Sequence, residues 1–212
     1  MKTAAAESAT SNLHPDLHIA ITIKNEATWR RAMTNVRTIV EKAVHAALSS
    51  QPALPEGVVQ LSILLTSDAE VRRLNKLWRG QDKPTNVLSF PADQFTFGKQ
   101  KKNKKSVTQS KPILLGDVVI ARETILREAR SEKKTPRAHV SHLIVHGVLH
   151  LLGYDHERSK AAKIMEKLER QILDGLNITD PYAPTAARAQ SRPKPTRPKL
   201  SRLSPSRKGR AA

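Results

Sequence analysis

The chain has 212 residues, 38% of them hydrophobic, which suits one folded unit with a modest core plus tails. It has no cysteine, which excludes disulfides and thiolate metal sites and leaves imidazole and carboxylate as ligands for any transition metal. Its 37 Lys and Arg against 19 Asp and Glu give a net charge of +18. No run approaches the ~18–20 apolar residues of a membrane span, and residues 1–16 lack the apolar core of a signal peptide, so a cytoplasmic protein with a flexible leader is expected.

The folded body is read from Leu17 to Tyr182. LHIAITI (17–23) is β-like, and Trp29, Met33, Val36, Val40, Ala43 and Ala47 then recur at the spacing of one amphipathic helix. VVQLSILLT (58–66) is the next strand. Ser67 and Glu70 form a capping-box pattern ahead of a helix whose apolar positions are Val71, Leu74, Leu77 and Trp78. RGQDKPTNVLSFP (79–91) starts as a turn and becomes a strand at Val87–Phe90. ILLGDVVIA (113–121) is a strand interrupted by Gly116, and 122–134 is a helix with Ile125, Leu126 and Ala129 inward. Thr135 as N-cap and Pro136 at the first helical position open a further helix, with Val140, Leu143, Ile144, Val148 and Leu151 as its apolar face and Gly153 as its stop. A last amphipathic helix covers about 159–175. Strands mixed with five helices in this order predict a small mixed sheet covered by helices, without disclosing the strand order.

The charge sits in two blocks. Residues 99–111 hold six Lys and no acid, and 183–212 hold nine Lys or Arg and no acid, so fifteen of the eighteen excess charges lie there and the body is close to neutral. The terminal block mixes Pro, Ser and basic residues without an apolar period, so it is expected to be disordered. Basic blocks attract polyanions by releasing counterions, which favours RNA or DNA as a partner.

The chemistry concentrates in SHLIVHGVLHLLGYDH (141–156). Residues four apart stack on one helix face and can share an ion at about 2 Å. His142 and His150 are eight apart, about 12 Å along the axis, so His142, His146 and His150 cannot all bind one metal. Gly153 decides between the two remaining pairs, because a left-handed residue there turns the chain back and delivers His156 to the end of the helix that carries His146 and His150. Three imidazoles leave a tetrahedral zinc one open position, the mark of a catalytic site. His139 and His142 are then packing or supporting residues. The spacing equals that of the extended zincin motif, but Gly147 stands where that motif has its glutamate base, which argues against a conventional metalloprotease.

HGVLHLLGYDH, preceded by RGQDKPTNVLSFP and LLGDVVIA, resembles the YbeY family of bacterial endoribonucleases, also called rRNA maturation factors, over about residues 60–182. The resemblance implies an α+β domain with a mixed four-stranded sheet and a zincin-like site holding one zinc ion on His146, His150 and His156. It also implies a functional arginine at Arg79 and a groove including Asn75, Thr85, Asn86 and Ser89. The implied activity is single-strand-specific, metal-dependent RNA cleavage in maturation of the 3′ end of small-subunit (16S) ribosomal RNA and in ribosome quality control, with the ribosome or a pre-ribosomal particle as partner. Arg79 would pair with a phosphate. Asp155 is a second catalytic candidate, either orienting an imidazole, acting as base or merely shaping a turn, and Tyr154 either stacks on a base or packs. Two other readings stay open: another zinc hydrolase, and a non-catalytic assembly factor whose zinc steadies a loop.

Overall fold

Period-two alternation makes strands of LHIAITI and VQLSILLT, because one side of each can then face a core. The computed structural model, which describes residues 17–51, 58–92, 112–156 and 158–183, shows them as β1 (Leu17–Ile23) and β2 (Val59–Thr66), followed by β3 (Val87–Pro91) and β4 (Ile113–Ala121). The helices are α1 (Glu26–Ala32), α2 (Val36–Ser49), α3 (Asp68–Arg79), α4 (Arg122–Ser131), α5 (Pro136–Leu151) and α6 (Ser159–Gly175). The expectations for 1–16, for 99–111 and for all of the terminal block after residue 183 lie outside the described residues.

The sheet order is β1-β2-β4-β3, with β1, β2 and β4 parallel and β3 antiparallel to β4. The result is one α+β domain on a mixed four-stranded sheet. Gly116 does not interrupt β4. The register against β2 shifts between Gln60 and Leu61, and Gly116, at φ 125°, sits where a Cβ would lie 2.1 Å from the Phe90 carbonyl oxygen. Only glycine allows β3 to approach so closely at this irregularity.

Helices α2 and α5 pack on one face of the sheet, burying Val40, Val44, Ile63, Leu65, Val118, Ile144, Val148 and Leu149 among others. Each such large side chain contributes about 1.5–3 kcal/mol. On the other face, α3 covers a smaller cluster of Val71, Leu88, Val119 and Ala121. Helix α5 is buried on nearly every side, including His139, Ser141 and Gly147, and is the axis of the molecule. Among the described residues no helix is long and apolar enough to cross a membrane.

The single helix expected through Trp29 and Ala47 is two, which brings the described helices to six. Met33 is extended and Asn35 is left-handed (φ 58°), a conformation Asn tolerates better than most residues, so the chain bends while Trp29, Met33, Val36 and Val40 all still reach the core. The capping box also fails to form: Ser67 makes no side-chain cap, and Glu70 pairs with Arg73 and Lys24. Two helix starts cap each other instead. Glu123 accepts from the Asp68 N–H (2.8 Å), while the Asp68 carboxylate accepts from the Thr124 N–H and hydroxyl (2.9 Å each). Leu77 and Trp78 are exposed, since α3 buries only Val71 and Asn75.

Candidate metal centre

The Thr135 hydroxyl accepts from the Ala138 N–H at 3.1 Å and Pro136 occupies the first turn, so α5 begins as its sequence predicts. It ends at Leu151, and Gly153 adopts φ 87°. That turn carries the chain back over the helix end and brings His156 to His146 and His150. Their ligand nitrogens lie within 4.8 Å of one another, with ring centroids 5.4 Å (146–156), 5.0 Å (150–156) and 4.5 Å (146–150) apart. All three predicted ligands are brought together.

The hydrogen bonds behind these rings determine which nitrogens face inward. His150 Nδ1 donates to the Tyr154 carbonyl at 3.0 Å, and His146 Nδ1 donates to the Glu169 carboxylate at 2.7 Å. Both Nδ1 atoms therefore carry the proton, and the two Nε2 atoms, 3.1 Å apart, present lone pairs to each other. Two facing acceptors repel unless a cation lies between them. Nitrogens about 2.0–2.1 Å from a tetrahedral zinc would be roughly 3.3 Å apart, so the donor set fits such an ion with little adjustment. Burial, and after it the charges of His146 and His156, lower the pKa of His150 to about 4, leaving a neutral imidazole able to act as a ligand.

Glu169 is the residue sequence reasoning missed. It is fully buried on α6 and accepts from His146, from His142 (3.3 Å) and from the Tyr182 hydroxyl. Burial would raise its pKa, but the hydrogen bonds from His142, His146 and Tyr182 outweigh this and hold it at about 2. A carboxylate behind a ligating histidine fixes the tautomer and strengthens the ligand. A signal was present: Glu169 lies four residues after Met165 and three before Ile172, an acid on the apolar stripe of α6. His142, His146 and Glu169 form a second group of metal-binding residue types. That group lies behind the cage, with its carboxylate already engaged by three donors. His139, the other histidine of α5, is buried and bonded to Glu128 at 2.9 Å.

The three imidazoles open onto a cleft of about 560 Å³, whose walls include Arg79, Asn86, Ser89, Tyr154 and Asp155. Arg79 ends α3, where Gly80 turns left-handed, and makes no ion pair among the described residues. The loop beyond it is pinned by Asp82, which pairs with Arg72 (2.7 Å) and Lys76 (3.1 Å), and by Asn75, whose amide donates to the Lys83 carbonyl at 2.8 Å. Asn75 thus shapes the loop from a buried position, and Thr85 bonds to Asn86 rather than lining the cleft. Asn86 holds the start of β3 by accepting from the Val87 N–H at 2.7 Å, and its amide donates to Glu128 at 3.0 Å. Tyr154 packs against the core with its hydroxyl donating to Gln51 (2.9 Å).

Gly147 explains the missing glutamate. A Cβ there would lie 2.8 Å from Val118 Cγ1 and 3.2 Å from Ser89 Oγ, so α5 presses against the sheet where the zincin base would have to fit.

Comparison with known proteins places the chain in a family. The family model described as Endoribonuclease YbeY matches residues 21–177. A protein named Endoribonuclease YbeY from Azorhizobium caulinodans is 50% identical over 153 residues, covering 72% of this chain and 89% of its own length. One of the same name from Paramagnetospirillum magneticum is 45% identical over 166 residues, covering 78% and 96%. A solution structure of TM1509 from Thermotoga maritima aligns over 76% of this chain and 92% of its own at 22% identity, with a TM-score of 0.45. With its family model matched over most of the body and relatives at half identity, the chain belongs to the YbeY endoribonuclease family.

Proposed function

We propose that this protein is a zinc-dependent, single-strand-specific endoribonuclease of the cytoplasm, acting on ribosomal particles in late maturation of the 3′ end of 16S ribosomal RNA and in ribosome quality control. His146, His150 and His156 hold one zinc ion, and Arg79 and Asp155 are the catalytic residues. The observation that carries this reading is a three-imidazole cage opening on a cleft whose wall presents an arginine with no ion pair among the described residues. The bound ion would supply a Lewis acid for a phosphate oxygen or an attacking water. Arg79 pairs with the phosphodiester and stabilises the charge that develops on its oxygens. Asp155 is the acid among the described residues lining the cleft and adjoins His156, and its role in this reading is to accept the proton of the nucleophile. Asn86 and Ser89 offer hydrogen bonds along the opposite edge. The crowding at Gly147 weighs against a peptidase built on the same cage.

The test is metal content together with cleavage of a ribosomal RNA 3′-end precursor. Wild type should carry one zinc and cut. Arg79→Ala should keep zinc and lose cleavage, and His150→Ala should lose zinc affinity by at least about a hundredfold and cleavage with it. A metal-free, fully active protein overturns the reading, and ribosome maturation sustained by a folded His150→Ala variant would replace it with a non-catalytic assembly role.

A further inference from the structure

The opposite end of α5 from the cage carries a second cavity, of about 540 Å³, between the starts of α2 and α5 and the junction of α1 with α2. Its lining includes three cations, Arg31, Lys42 and Arg137, and no Asp or Glu. None of the three makes an ion pair among the described residues, although most other basic residues of α3 and α4 do. Two helices, of 14 and 16 residues, begin here without an acid in the first turn; in α5 Pro136 has no N–H and the Ala138 N–H is donated to Thr135, so α2 is the one with N–H groups to offer. Asn35 is left-handed and places no side chain on the α2 cap, so the first N–H groups of that helix stay available. An independent feature points the same way. Ser141 lines this cavity, is only 3% exposed, and its hydroxyl makes no hydrogen bond among the described residues. The hydroxyl of so nearly enclosed a residue, with no protein partner, can donate to or accept from a ligand in the cavity.

We infer that this cavity binds a phosphate group, held by Arg31, Lys42 and Arg137 with the α2 N-terminus and the Ser141 hydroxyl behind it. It is a separate site: Arg137 and His146 are nine residues apart on α5, about 14 Å along the axis, and the two cavities share no lining residue. The phosphate belongs either to a single-stranded RNA whose chain passes this end of the domain or to a small free phosphate compound. The inference does not depend on the nuclease reading, because binding can be measured without turnover.

The experiment uses the full chain at low ionic strength and titrates inorganic phosphate, pyrophosphate and a single-stranded RNA oligonucleotide, following backbone amide shifts of Arg37 and Thr38 and calorimetric heat. Wild type, Arg31→Glu with Arg137→Glu, and Ser141→Ala are compared. Arg31 and Arg137 are exposed and Ser141→Ala removes only an oxygen, and the circular dichroism of each variant confirms folding. Saturable phosphate or pyrophosphate binding that weakens at least about tenfold in the double variant, and measurably in Ser141→Ala, supports the site. If RNA affinity falls in parallel while the zinc content of the cage is unchanged, the phosphate is that of RNA; if only pyrophosphate or phosphate binding falls, it is a free compound. No saturable binding of any of the three at these amides, or binding equally strong in the double variant, overturns the inference. Absence of RNA cleavage by the wild-type protein, with phosphate binding intact, would count against the metal centre's proposed role and leave this inference supported.

Discussion

The two walls of the histidine-lined cleft are built on opposite principles. On the α5 and α6 side, polar groups are buried and wired together: Glu169 has no exposed surface and is held by His142, His146 and Tyr182, with His150 tied to a backbone carbonyl. On the α3 and β3 side, the charges lie in water: Arg72, Lys76 and Asp82 pair at the surface, and Arg79 ends its helix without an ionic partner among the described residues. Metal ligands need fixed rings and fixed tautomers, which only a desolvated network enforces. The phosphate contact proposed for Arg79 needs reach and a free charge, which an exposed helix end supplies. The difference predicts that substitutions on the first wall act on folding and metal together, whereas those on the second act on chemistry with little effect on folding.

The strongest way to break this contrast is Glu169→Ala. It leaves three donors facing a buried void, and unfolding free energy should fall by about 3–5 kcal/mol, with zinc affinity down about 10–100-fold; near wild-type denaturant midpoint and metal affinity would show that the wall is not wired as described. Gly147→Ala comes next. The added methyl meets Val118 at 2.8 Å, an overpacking of about 1–3 kcal/mol partly offset by about 1 kcal/mol of helix propensity, so a net loss of roughly 1 kcal/mol is expected in chemical denaturation, and a stabilised variant would refute the close approach. Arg79→Ala should shift stability by less than about 0.5 kcal/mol while removing cleavage. A large fall in its melting temperature would place Arg79 in the structural wall instead. The smallest effect concerns Asp82, whose hydrogen bonds from Arg72 and Lys76 lower it from 3.8 to about 2. Because the folded value is depressed, its contribution is present above pH 3.8 and is lost as pH falls toward 2. Asp82→Asn should therefore flatten the acid side of the stability profile slightly and leave the profile above pH 5 unchanged.

Much of the site could be read from the residues. His146, His150 and His156 follow from helical spacing plus a glycine able to turn left-handed, all of them local properties. The end caps of α5 followed in the same way from Thr135, Pro136 and Gly153. Glu169 did not, because its histidine partners are 23 and 27 residues away and only the packing of α6 on α5 joins them. The capping box at Ser67 and Glu70 was a local pattern outcompeted by a distant one, when Glu123 and Asp68 capped each other's helices. The break at Met33 to Asn35 was hidden because both helices keep the same apolar rhythm on either side of the bend.

The sequence by itself determined most of the elements, the spacing that gathers three imidazoles and the absence of any thiolate alternative, since these depend on periodicity, turn stereochemistry and residue type within about ten positions. Only the tertiary structure decided the strand order, the carboxylate that sets the ligand tautomers and the reason position 147 is glycine. Each of these depends on which surfaces meet once the chain has collapsed, and non-local contacts of that kind leave no period in the sequence to read.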